Sequence, residues 1–134
     1  MEEEPKVYIL SKSVHDFSKA STFGHLQFLT EGCIPRYKTT QMCRIFKPII
    51  EASSPNDYIM VTGLTVAIAI LCSVFVMRHK RLNILIHKPQ DNSYEARILN
   101  FEDGFLRGCE SIEKNLHGVY LNKKEPKKKE PSDE

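Results

Sequence analysis

The stretch DYIMVTGLTVAIAILCSVFVMRHKRLNILIHK, residues 57–88, decides the fold. It reads as a buried strand (DYIMVTG), a helix that is apolar all round (Leu64 to Met77), and a second buried strand (LNILIHK) with no linker before it. Strands buried on both faces of a parallel sheet are continuous apolar runs, not alternating ones. Gly63 stands where such a strand hands over to a helix, a place that favours a residue without Cβ. A strand, helix and strand in immediate succession predict a βαβ crossover.

The same residues admit a rival. Tyr58 to Met77 contains no charge, and a helix of that length, at about 1.5 Å per residue, matches a hydrocarbon layer of roughly 30 Å. Arg78, His79, Lys80 and Arg81 follow as a stop-transfer flank would. The crossover reading is preferred because the segment opens with a β-branched, aromatic run and a turn glycine. The apolar run LNILI then starts directly after the basic flank, where a membrane anchor has no use for a buried strand.

Outward from this unit, Lys6 to Ser11 (KVYILS) and His25 to Thr30 (HLQFLT) are strand-like runs that need a shared sheet. Ser13 to Gly24 is polar and aperiodic, a loop or one short helical turn. Thr39 or Thr40 can cap a helix whose apolar face is Met42, Ile45, Phe46, Ile49 and Ile50, with a kink or early end predicted at Pro48. Ser53-Ser54-Pro55-Asn56 is a turn. Downstream, Pro89 to Ser93 is a second turn and Tyr94 to Leu99 an edge hairpin partner. Phe101, Phe105, Cys109, Ile112 and Leu116 fall at helical spacing and predict a C-terminal helix ending near Gly118. Lys123 to Glu134 is charged, punctuated by proline and predicted to be disordered.

The expected architecture is therefore one α/β domain over residues 1–122 with a charged tail over 123–134. It is Rossmann-like: a small, mainly parallel sheet of about four to five strands, a buried apolar crossover helix, an edge hairpin and a C-terminal helix. The alternative is a single-pass transmembrane helix protein. A net charge of +2 over 134 residues creates no global field of the kind that draws nucleic acid. The charges balance through Asp57, and the small positive excess lies beyond it. Cys33, Cys43, Cys72 and Cys109 form no C-x-x-C pair and match no histidine spacing, which argues against zinc and for reduced thiols. MEEEPK lacks the apolar core of a signal peptide. A cytoplasmic protein is expected, with the membrane as the alternative.

Function is less legible. In open α/β sheets ligands bind beyond the carboxyl ends of the strands, which here gather Ser11, Ser13, Glu31, Thr62, Gly63, His87 and Lys88. Gly63-Leu64-Thr65 would place unpaired amides at a helix start, where an anion is favoured. Ser11, Ser13, Thr62, Gly63 and Thr65 are accordingly the candidate contacts for a phosphorylated ligand or nucleotide. The plain alternative is that Thr65 only caps its helix and Gly63 only turns the chain. No G-x-G-x-x-G or P-loop pattern is present. His15-Asp16 is the one adjacent histidine–carboxylate pair, with no nucleophile that the sequence places beside it. No catalytic residue, metal or cofactor is implied.

An all-round apolar helix in so small a domain predicts self-association through Leu64 to Met77. The leading expectation is thus a non-enzymatic binding or assembly protein, a homo-oligomer or part of a larger assembly, with nucleotide as a second ligand class. The alternatives are a single-pass membrane protein with a basic cytoplasmic C-terminal region, and a small enzyme acting on a phosphate-containing ligand. Lys123, Lys124, Lys127, Lys128 and Lys129 are a weak candidate for a nucleic-acid or anionic-membrane contact; with acids interleaved among them, a solvated tail is the preferred reading.

Overall fold

A computed structural model describes residues 4–12, 15–32, 35–114 and 120–124; of 112–114 and 120–124 it describes the backbone alone. Seven strands make one sheet: β1 (Lys6–Ser11), β2 (His25–Thr30), β3 (Tyr58–Met60), β4 (Arg81–Lys88), β5 (Ser93–Glu102), β6 (Phe105–Lys114) and β7 (Tyr120–Lys124). Two helices, α1 (Thr39–Glu51) and α2 (Thr65–His79), and a 3-10 turn at Ser18–Thr22 complete the described elements. The strand order is β2-β1-β3-β4-β5-β6-β7.

The central stretch divides as its composition predicts. Tyr58–Met60 is a strand buried on both faces, Thr65–His79 is the helix, and Arg81–Lys88 pairs parallel to β3 through Ile59 with Ile84 and Met60 with Leu85. Among the described residues no helix is long and apolar enough to cross a membrane.

Strand alternation sends neighbouring side chains to opposite faces, and two separate cores result. Tyr8, Leu10 and Ile59 face the helices, where Met42, Phe46 and Ile50 of α1 and Ala67, Leu71 and Phe75 of α2 are buried against them. Val7, Ile9, Tyr58, Met60 and Leu85 face the other way. That side is covered by Phe17, Ala20 and Phe23 of the β1–β2 connection and flanked by Tyr94, Ala96 and Ile98 of β5.

Three expectations are corrected. The sheet is mixed, not mainly parallel: β2, β1, β3 and β4 run parallel, and β5, β6 and β7 return antiparallel. It has seven strands, not four or five. The predicted C-terminal helix is instead a hairpin, because Asp103 and Gly104 both take positive φ (54° and 79°) between β5 and β6, as a two-residue hairpin turn requires. The four-residue spacing of Phe101, Phe105 and Cys109 arises from two strands about that turn. A smaller surprise is α1, which runs through Pro48 to Glu51; proline withdraws only its own amide, and its carbonyl still accepts from the Ala52 amide (3.2 Å) at the helix end. β7 takes in Lys123 and Lys124, in register with Ser111 and Glu110, while Lys127, Lys128 and Lys129 lie outside the described residues.

At the amino ends of the strands a buried polar network ties β1, β3 and β4 together. The Asp57 carboxylate, only 3% exposed, accepts from the Lys6 amide (3.0 Å), the Tyr8 hydroxyl (2.7 Å) and the Ser54 amide (2.9 Å). Asn83 Nδ2 donates to the carbonyls of Asp57 (2.7 Å) and Pro55 (2.6 Å), and Asn83 Oδ1 accepts from Arg81 Nε (2.9 Å). Burial and the neighbouring Asp57 hold the Tyr8 phenol well above its ordinary pKa.

Candidate functional site

The order β2-β1-β3-β4 contains one reversal. The chain steps from β1 outward to β2, then crosses back over β1 through α1 to reach β3. The crevice where two neighbouring strands send their connections to opposite sides lies beyond the carboxyl ends of β1 and β3, the place such sheets use for ligands. Ser11 ends β1, and Thr62 and Gly63 follow β3.

The backbone there is shaped by short-range bonds. The Val61 amide continues the ladder by donating to the Leu85 carbonyl (3.0 Å), and the Thr62 amide then donates to the Met60 carbonyl (3.0 Å). That i to i−2 bond is a γ-turn, which stops the strand. Gly63 follows at φ 103°, and a Cβ on it would meet Leu10 Cδ1 at 3.0 Å. Only glycine fits this approach without strain. Leu64 is the N-cap of α2 in an extended conformation, the first turn has no side-chain cap and no acidic residue, and Thr65 is exposed. Thr65 therefore does not cap its own helix; the first-turn amides of α2 face the crevice end uncapped, where the helix dipole favours an anion.

Register carries the row further. Tyr8 pairs with Ile59 and Ile59 with Ile84, so Ser11 and His87 each lie three positions beyond that level on their own strands, past the end of β3 at Met60. Ser11 itself pairs with Thr30, and His87 with Tyr94. Ser11 and His87 point to the face covered by the β1–β2 connection, two and four positions beyond Ile9 and Asn83 on their strands. There the connection adds His15. Its Nε2 lies 3.3 Å from the Tyr94 hydroxyl, and its ring meets His87 edge-on at 4.4 Å between centroids and Phe17 at 4.8 Å. His87 Nε2 is 2.8 Å from Asn92 Oδ1. Burial raises the Tyr94 phenol pKa, with help from Asp16.

Of the sequence-derived contacts, Ser11, Thr62, Gly63 and Thr65 gather at this end, and Ser13 lies outside the described residues. Asp16 Oδ1 accepts from the Ser18 amide (2.9 Å), which opens the 3-10 turn and lowers the carboxyl pKa, with a smaller electrostatic contribution from His15. Tyr94 and Asn92 were missed, since only the antiparallel return of β5 carries them here. Their signal was the turn cluster Pro89 to Ser93, which folds β5 back beside His87. Cys72 is half-buried and its thiol is pushed up to about 11 by burial, so it stays protonated and unreactive at neutral pH. Among the described residues no group of three or more His, Cys, Asp or Glu could hold a metal. A cleft of about 220 Å³ at the opposite end, lined by Glu4, Lys6, Ser54 and Asp57 among others, opens onto the satisfied Asp57 network.

Residues 5–101 match the model of a family described as phage Pam3 gp32-like protein. The matched span takes in β1 to β4, both helices and nearly all of β5, hence every residue of the crevice described above. No curated protein matches the chain.

Proposed function

The chain belongs to the phage Pam3 gp32-like protein family, and we propose that it is a non-enzymatic binding protein for a phosphorylated ligand, a nucleotide foremost. The ligand sits at the carboxyl ends of β1 and β3. The observation that carries this reading is the strand order, whose single reversal falls between β1, which ends in Ser11, and β3, which Thr62 and Gly63 follow. The uncapped start of α2 adds amides and a positive dipole end beside them. Ser11 and Thr62 supply hydroxyl donors, and Gly63 lets the backbone approach closely.

Isothermal titration of the full chain with a panel of nucleotides tests it. Binding that is weakened by Thr62→Ala and abolished by Gly63→Val supports the reading. Absence of heat for every member at pH 6 and pH 8 removes it.

A second reading concerns α2 itself. Thr65, Ala69, Ser73 and Met77 form an exposed line at four-residue spacing, flanked by half-buried Val66, Ile70, Val74, Ile68, Cys72 and Val76, and no charge interrupts it. Met77 is 73% exposed. On this reading the line is where a second copy packs and the protein assembles in the cytoplasm with its thiols reduced. Light scattering behind gel filtration decides it: Ala69→Arg should convert an oligomer to monomer, and a monomeric parent chain overturns it.

A further inference from the structure

We infer that His87, held against His15, is the proton-coupled phosphate contact of this crevice: its imidazole takes up a proton as a phosphorylated ligand arrives, and Nδ1–H then donates to a phosphate oxygen. The inference rests on the ligand reading above and names what the proposed site otherwise lacks. Hydroxyls and backbone amides neutralise no full charge, and no P-loop lysine stands in the Gly63 turn.

The β3–β4 ladder ends where the Val61 amide donates to the Leu85 carbonyl (3.0 Å), and β4 runs on through His87 to Lys88, so His87 stands past the end of β3, on the strand that borders the crevice. Asn92 Oδ1 can only accept, so its 2.8 Å contact with Nε2 is a hydrogen bond in the tautomer whose hydrogen is on Nε2. Asn92 is set in the β4–β5 turn at φ 51°, which fixes that acceptor in place. A neutral imidazole has one N–H, and Nδ1 is then a bare lone pair. A phosphate oxygen is an acceptor as well. Contact at Nδ1 therefore requires the imidazolium, and phosphate binding draws in one proton.

The surroundings leave that proton as the variable charge. From the β1–β2 connection His15 meets His87, with Asp16 beside it acting on His15 and on the Tyr94 phenol; on its own strand stands Lys88, which Asp91 of the following turn feels, and from β5 comes the Tyr94 ring. Asp91 is occupied by Ser93 Oγ (2.6 Å), and its carbonyl holds Lys19 Nζ (3.3 Å). The carboxylates of Asp16 and Asp91 oppose Lys88 and Lys19.

The test is an imidazole NMR titration of the full chain from pH 5 to 8.5, alone and with 5′-AMP or inorganic sulfate. Sulfate keeps one charge over this range and so separates the protein's proton from that of the AMP phosphate. The His87 midpoint should rise by one unit or more with either probe, equivalent to about a tenfold difference in affinity between pH 6 and pH 8 by calorimetry. In His87→Gln the sulfate affinity should be flat with pH and equal to the parent's at pH 8. His15→Gln, which leaves Nδ1 of His87 in place, should keep the direction. A probe that binds without moving the His87 midpoint overturns the inference and leaves the ligand reading standing. No binding of AMP or sulfate at either pH overturns both.

Discussion

The two ends of the parallel strands are built on opposite terms. At the amino ends every polar group of Asp57 and Asn83 has its partner, and the network is closed over by the Ser53 to Asn56 turn. At the carboxyl ends the strand stops in a γ-turn, a glycine holds positive φ, and a fifteen-residue helix begins without a side-chain cap. A satisfied end contributes stability. An end that leaves the first amides of a helix without a side-chain cap, beyond the carboxyl ends of the strands, is where such folds place a ligand. Substitutions should therefore separate cleanly, with stability lost at one end and affinity at the other.

The largest stability loss is expected from Asp57→Ala. It removes three accepted hydrogen bonds and strands the Tyr8 hydroxyl and two amides in a buried setting, at a cost of roughly 3–4 kcal/mol. Urea unfolding measures it. Affinity of the folded fraction for the nucleotide should stay unchanged, and a coupled loss would break the division between the ends. Gly63→Val should come next, at about 1–3 kcal/mol, because φ 103° and the Leu10 contact both refuse a branched Cβ. Unlike Asp57→Ala it should also abolish binding.

Tyr8→Phe should cost about 1 kcal/mol at neutral pH, and its pH dependence sharpens the contrast. The folded phenol titrates above its unfolded value near 10. Its contribution is thus complete below about pH 10 and fades as pH rises beyond that. The parent should lose stability in alkali along this limb, and Tyr8→Phe should flatten it in denaturant titrations between pH 8 and pH 11.

The sequence discloses the two ends unequally. The βαβ unit of residues 57–88 was legible because twenty uncharged positions broken by Gly63 leave few ways to be buried. Ser11, Thr62 and Gly63 followed from that unit by asking where strands end. The hairpin at Asp103-Gly104 was hidden by a four-residue apolar spacing that a helix and two strands about a tight turn produce alike. The mixed sheet followed from that error. Asp57 reads in sequence only as the first residue of the strand DYIMVTG. Its burial appears only when Lys6 and Tyr8, 51 and 49 residues away, join the nearby Ser54 around it. The pairing of His15 with His87 depends likewise on register across β1, β3 and β4, which no local pattern carries.

The smallest stability effect should fall on Thr62→Ala and Ser11→Ala, within about 0.5 kcal/mol each. Both side chains are half-exposed at strand ends, so water replaces what the hydroxyl loses. A hydroxyl that donates to a charged phosphate is worth roughly 1.5 kcal/mol, so each change should weaken binding about tenfold. Affinity thus moves where stability does not, the reverse of Asp57→Ala. Should both hydroxyls be removed with affinity intact, the ligand would have to be held by the α2 amides and His87 alone. The row of strand-end hydroxyls would then be solvated edge, and the asymmetry between the two ends would reduce to the helix start and its neighbouring imidazole.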